Sequence, residues 1–298
     1  MKYYRRKILM AVLQCFGGSL SAIELQKYLF LFTRKQEENK AFDFIPYKYG
    51  CYSYQAQWDI SALKTKGYLT ENDNIISISQ KDNYLALLDL FDQSYLRQLK
   101  SDFEGYSKED VIRYTYQKFP YYATKSTIAQ DVLKDCPEYL TKIESQKRHL
   151  SEPQLFTIGY EGISLETYLN KLIINDVHTL CDVRKNAYSQ KYGFTKAQLQ
   201  KECEGVGIRY VHVPQLGIES EKRQELNTQA DYDRLFDEYE KTTLKDNFEA
   251  LQYVRNLIKT DQRVALTCFE KDPKQCHRSR VAKALMQFDD RDYELKLL

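Results

Sequence analysis

A large net charge, long apolar runs and closely paired cysteines are all missing from this sequence. The 44 Lys and Arg residues stand against 42 Asp and Glu, a formal net charge of +2 over 298 residues. That balance excludes a general polyanion binder. The first half is slightly basic and the second slightly acidic, which suits a solvated surface as well as it suits a phosphate-binding face. No apolar run reaches the roughly twenty residues that cross a bilayer, so no membrane partner is expected. The opening Met1-Lys2-Tyr3-Tyr4-Arg5-Arg6-Lys7 does not resemble a signal peptide. The seven cysteines include no CxxC pair. Free thiols without an export signal predict a cytoplasmic protein. Internal repeats and low-complexity tracts are also absent. What is abundant is tyrosine, 25 residues of it, whose apolar body and polar tip serve cores, interfaces and base stacking alike. The length suffices for two domains, each with its own core.

In the first half, residues 3–16 carry Ile8, Leu9, Val12, Leu13 and Phe16 at helical spacing, and Gly17-Gly18 ends that run. Ser19-Leu20-Ser21 offers a cap for a second helix with Leu25, Leu29 and Phe30 inside. A turn-rich stretch, 44–53, precedes a third helix from about Tyr54 to Lys66. Gly67-Tyr68-Leu69-Thr70 and Ile75-Ile76-Ser77-Ile78 then read as a hairpin. Three helices followed by a hairpin is the order of a winged helix. Residues 84–150 read as helical, one helix spanning Tyr84 to Lys100 and another opening at Ser107 with Asp110 three residues on. The predicted domains are therefore 1–83, a winged-helix-like recognition domain; 84–150, a helical connector; and 151–298, an α/β catalytic domain.

Leu25-Gln26-Lys27-Tyr28-Leu29-Phe30, Phe44-Ile45-Pro46-Tyr47-Lys48-Tyr49-Gly50 and Leu63-Lys64-Thr65-Lys66-Gly67-Tyr68 resemble the start of Panacea-type antitoxin domains, with Cys51 where that family usually has proline. The resemblance implies a winged-helix-like module that recognises rather than catalyses. Lys48 and Lys64 are its candidate phosphate contacts.

In the second half, four β-like runs each end in a polar cluster: Phe156-Thr157-Ile158 before Gly159-Tyr160-Glu161, Thr179-Leu180-Cys181 before Asp182-Val183-Arg184, Ile208 to Val213 before Pro214-Gln215-Leu216-Gly217, and Val264 to Cys268 before Phe269-Glu270. Helical patterns separate them, which predicts a mostly parallel sheet with flanking helices. Ligands of such sheets bind outside the carboxyl ends of the strands. Tyr160, Glu161, Asp182, Arg184, His212 and Glu270 are thereby predicted to share one edge.

These runs, closed by Cys268-Phe269-Glu270-Lys271-Asp272-Pro273-Lys274-Gln275-Cys276-His277-Arg278, resemble the domain of unknown function 488 family over residues 155–285. The resemblance implies the fold and the motif positions, and a setting of DNA modification and defence against phage. Asp182-Val183-Arg184 also resembles rhodanese-like domains, which use a cysteine at a strand end, but the rest of the pattern departs from theirs.

Chemically, Glu161, Asp182 and Glu270 in one crevice could divide acid and base roles at a sugar carbon, or each could pair with an arginine. Tyr160 could stack on a base. Arg184, His212, His277, Arg278 and Arg280 are candidate substrate or phosphate contacts, the last three at the start of a helix that would attract an anion; Arg278 could equally pair with Asp182 or Glu270 and so hold the loop. Cys268, Cys276 and His277 could be structural, reactive or metal-binding. With no second ligand pair in view, neither metal nor cofactor is expected. The expectation is a hydrolase acting on nucleic acid, DNA first, by N-glycosidic cleavage at a modified base; the alternative is a sensor of nucleotides or modified DNA without catalysis.

Overall fold

The structure, a computed structural model, describes residues 2–223, 226–289 and 292–298. It divides into two compact units, Met1–Lys147 and Arg148–Leu298.

The first unit opens with helix α1 (Tyr4–Cys15), strand β1 (Ser19–Ser21) and helix α2 (Ala22–Lys35). Ser21 ends the strand and caps the helix: its hydroxyl accepts from the Glu24 amide while the Glu24 carboxylate accepts from the Ser21 amide, satisfying two donors that a helix start leaves open. The stretch expected to be turn-rich forms a short hairpin, β2 (Ile45–Tyr47) and β3 (Gly50–Tyr52). Helix α3 (Tyr54–Thr65) and a second hairpin, β4 (Leu69–Asn72) and β5 (Ile75–Ile78), follow. Asp73 and Asn74 both adopt positive φ, the geometry of a two-residue hairpin turn. Strand β1 adds to β5, giving a three-stranded antiparallel sheet ordered β1-β5-β4.

Helices α4 (Leu90–Asp102), α5 (Lys108–Lys118), α6 (Ala129–Val132) and α7 (Pro137–Gln146) complete this unit. The single helix expected from Tyr84 is interrupted, because the Asp89 side chain accepts from the Asp92 amide and starts a new helix at Leu90.

The second unit is a five-stranded, wholly parallel sheet ordered β10-β6-β9-β7-β8. Its elements are β6 (Gln154–Gly159), α8 (Leu165–Ile174), β7 (Thr179–Asp182), α9 (Lys196–Gly205), β8 (Arg209–His212), α10 (Gln229–Tyr239), α11 (Phe248–Asp261), β9 (Arg263–Cys268), α12 (His277–Leu285) and β10 (Glu294–Leu297). The four expected strands are present, each starting within two residues of the run that announced it. The fifth, β10, was not foreseen: it is a short exposed edge strand, Glu-Leu-Lys-Leu, with no buried side to give a signal.

Side chains on alternate sides of each strand meet different helices. Leu155, Cys181 and Leu266 pack with Val254 and Ile258 of α11 and Val281 of α12. On the other face the Tyr168 hydroxyl of α8 donates to Thr267 Oγ1 at 2.7 Å. The chain leaves β7 towards the β8 edge and leaves β9 towards the β10 edge. The carboxyl ends of these neighbouring strands are thus a switch point, where a crevice opens.

Two glycines let the loops close over that edge. A Cβ on Gly159 would lie 2.0 Å from the Glu270 carbonyl oxygen, and one on Gly217 would lie 2.1 Å from the Lys185 amide nitrogen. Both obstacles are backbone, so neither can swing aside. Gly159→Ala is therefore expected to cost about 1–3 kcal/mol, read as a lowered urea midpoint, whereas Gly162→Ala, with nothing within 4 Å, loses stability only through its positive φ.

Candidate active site at the carboxyl edge

Asp182 ends β7 and has no solvent exposure. Arg184, two residues on, folds back on it: Nε donates to Oδ1 at 2.9 Å and Nη2 to Oδ2 at 2.5 Å. The same guanidinium donates through Nη1 to the Tyr160 hydroxyl at 2.7 Å and to the Phe194 carbonyl at 2.9 Å. The Tyr210 hydroxyl of β8 donates to Asp182 Oδ2 at 2.7 Å. Burial opposes the guanidinium's charge, but the hydrogen bonds and charge of Asp182 outweigh it and hold Arg184 above its ordinary pKa. Burial, then the adjacent Asp182 charge, pushes the Tyr210 phenol up, so it stays a donor.

Tyr160 follows β6, stacked on Phe194 with ring centroids 4.2 Å apart. The His212 ring, at the end of β8, meets the Arg184 carbonyl through Nε2 at 2.8 Å. A carbonyl only accepts, so that nitrogen carries a proton. Sequence reasoning placed Tyr160, Asp182, Arg184 and His212 at this edge; it did not foresee their use to tie β6, β7 and β8 together. Phe194 and Tyr210 were missed, since neither belongs to a polar cluster at a strand end.

Beside this network lies a cavity of about 380 Å³ whose wall includes Tyr160, Arg184, Tyr188, Cys268, Glu270 and His277. Cavities of about 440 Å³ and 430 Å³ occur elsewhere, so the chemistry of the lining, not size, selects the site. Glu270 pairs with Arg223, a residue with no motif to announce it. Cys268, the last residue of β9, donates to Glu270 Oε2 at 3.2 Å and meets His277 Nδ1 at 3.5 Å. The other His277 nitrogen, Nε2, lies 2.9 Å from the Val183 carbonyl and must donate to it. Burial pushes the Cys268 thiol up, yet the hydrogen bond with Cys276 and the neighbouring His277 and Arg223 bring it well below its ordinary value; Cys276 goes the opposite way, raised by burial and by Cys268.

The remaining candidates lie elsewhere. Glu161 is exposed and outside the cavity wall, its carboxylate accepting from the Lys271 amide at 2.9 Å. Arg278 is buried, with Nη1 on the Glu270 carbonyl at 2.5 Å and Nη2 on the Lys271 carbonyl at 3.2 Å. Its guanidinium thus holds the 269–271 loop through backbone carbonyls, not through the pairing with Asp182 or Glu270 that the sequence allowed. Arg280 pairs with Glu240 at 3.2 Å and lines the 440 Å³ cavity instead. Lys48 and Lys64 belong to the first unit, both exposed; Lys64 pairs with Glu71 at 2.5 Å.

The Asp182–Arg184 pair gives a direct test. Asp182→Ala would leave a buried guanidinium without its counter-charge, a loss of about 3–5 kcal/mol. Equilibrium urea unfolding of the variant should show it. A loss below about 1 kcal/mol would mean that the pair does not hold the edge.

No curated protein and no solved structure matches the chain at a significant level. A family model does match the second unit: residues 164–285, which run from the cap of α8 to the end of α12 and include Asp182, Arg184, Glu270 and the cysteine–histidine cluster, fit the domain of unknown function DUF488.

Proposed function

We propose that the second unit is a hydrolytic enzyme acting on nucleic acid, with DNA as substrate and N-glycosidic cleavage at a modified base as its reaction. The observation that carries this reading is the Glu270 carboxylate in a cavity with aromatic and cationic walls. The exposed Tyr188 offers a face on which a base can lie, while Tyr160, buried and stacked on Phe194, backs the wall and does not take the stacking role the sequence allowed it. Arg184, Lys185 and Arg223 supply positive charge around it. A base in a duplex must leave the stack to enter such a space. Glu270 is then the group that moves a proton to or from the reacting water or leaving base. Asp182 and Arg184 position the wall. A role in defence against phage is the setting proposed, on the resemblance of the four motifs.

The first eighty residues are read as a winged-helix-like module that binds DNA. The order of α1, β1, α2, α3 and the β4–β5 hairpin supports this, with β1 added to the hairpin as a third strand. Lys48 and Lys64 are its proposed phosphate contacts.

One observation favours a second reading, a sensor of nucleotides or modified DNA: both carboxylates at this edge, Asp182 and Glu270, already sit in arginine pairs. Incubating the protein with unmodified and base-modified DNA, then measuring released base and abasic sites, separates the two. Glu270→Gln keeps the shape and removes the base, so turnover should fall about a hundredfold or more while binding survives. Glu161→Gln, outside the cavity, should fall far less. Binding of modified DNA by the unaltered protein with no base released would establish the sensor instead. DNA affinity should also drop steeply with salt, by a log–log slope of about −0.9 per phosphate contact; a salt-insensitive complex would point the first unit towards a protein partner.

A further inference from the structure

The buried cluster behind the cavity has a geometry that a hydrolase reading alone does not require. Cys268 Sγ, the Cys276 sulfur and a His277 ring nitrogen lie within 4.8 Å of one another, and all three residues are buried. They come from two places: Cys268 ends β9, while Cys276 and His277 open α12, after the 3-10 turn at Pro273–Gln275. That turn brings the chain back, and Arg278 pins the intervening loop by its carbonyls.

The orientation of His277 is specific. Its Nε2 donates to the Val183 carbonyl at 2.9 Å, which leaves the Nδ1 lone pair facing Cys268 at 3.5 Å. An imidazole that ligates a metal characteristically gives its other N–H to such a carbonyl, fixing the tautomer and the ring plane. The distance agrees as well. Zinc–sulfur bonds of about 2.3 Å and zinc–nitrogen bonds of about 2.0–2.1 Å at a tetrahedral angle put sulfur and nitrogen about 3.5 Å apart.

The geometry points to a metal site: Cys268, Cys276 and His277 hold one zinc-type divalent cation, with its fourth position turned to the cavity. Two thiolates and an imidazole are a ligand set that zinc accepts, and hard cations such as magnesium and calcium do not favour it. Cys268 and His277 both line the cavity, which gives the cation a route of entry and the fourth position room for water or a substrate atom. Three protein ligands with one open position is the arrangement of a catalytic zinc, as distinct from a closed structural one. The use of that water in hydrolysis rests on the function proposed above; the binding of the metal does not.

The test is cobalt titration of the reduced full-length protein without oxygen. One equivalent of Co²⁺ is expected to bind with thiolate-to-cobalt charge-transfer absorption and the intense visible bands of a tetrahedral centre, and stoichiometric Zn²⁺ should displace it. Zn²⁺ should also raise the melting temperature, since a ligand of the folded state stabilises it. Cys276→Ser should weaken binding by more than about a hundredfold, beyond what loss of an outer hydrogen-bond partner costs, while Cys136→Ser in the first unit leaves the spectrum unchanged. Should Cys276→Ser fail to fold, the unaltered protein's spectrum and stoichiometry still decide. Reduced protein whose Cys268 and Cys276 titrate as free thiols but which shows no cobalt–thiolate band overturns the site. Base release by protein that takes up no cobalt would sink the site and spare the hydrolase; bound metal with no base release from any DNA would do the reverse.

Discussion

Asp182 stands at the end of a central strand with no access to water, and its charge is tolerable there only because Arg184 turns back to meet it. Two buried ions cost more to desolvate than one contact returns, so such a pair persists only when every remaining donor and acceptor is used. Here they are. The guanidinium reaches Tyr160 after β6 and the Phe194 carbonyl before α9, and the carboxylate takes a bond from Tyr210 on β8. One ion pair thereby fixes the ends of three strands, and the cavity wall next to it inherits that rigidity. The loss from removing either partner is larger than the pair's net stabilisation, because the survivor would remain charged and buried.

The loop after β9 is shaped by a second set of ties, all to backbone. The Glu161 carboxylate takes the Lys271 amide, Arg278 takes two carbonyls, and Gly159 lets the Glu270 carbonyl approach where a methyl group would not fit. Polar residues that look catalytic in sequence are thus partly consumed by architecture. Two groups outside this set of ties remain at the cavity: Glu270, paired with Arg223, and the cysteine–histidine cluster behind it.

The fold of the second unit was legible because its inner strands are buried on both faces and read as near-continuous apolar runs, as β9 does from Val264 to Cys268. The edge strand β10 was not: Glu294 to Leu297 alternate polar and apolar, but the run is short and exposed throughout. The convergence of Tyr160, Arg184 and Glu270 on one cavity was legible from strand ends; Asp182, at the same edge, is fully buried and outside that wall. The separation of Glu161 and His212 from the cavity was not, because a strand end fixes where the backbone stops and says nothing of which way a loop side chain turns. Arg280 shows the same limit on a helix: two residues beyond Arg278, it faces a different cavity, since positions two apart do not share a face. Arg223 had no signal at all, being one of two adjacent cations in a polar stretch.

Cys276 and His277 mark where spacing in sequence misleads about spacing in space. Seven residues separate Cys268 from Cys276, too many for the closely spaced pairs by which zinc sites are usually recognised. The Pro273 turn removes that distance by folding the intervening residues into a loop and restarting the chain at α12. The sulfur atoms then meet across a strand end and a helix start, two rigid elements. Ligands carried on such elements are held more tightly than ligands on a free loop. The same arrangement puts His277 against the Val183 carbonyl, one residue past Asp182. The buried ion pair and the cysteine–histidine cluster are therefore set by the same few residues of chain, and a shift in the first would be felt in the second.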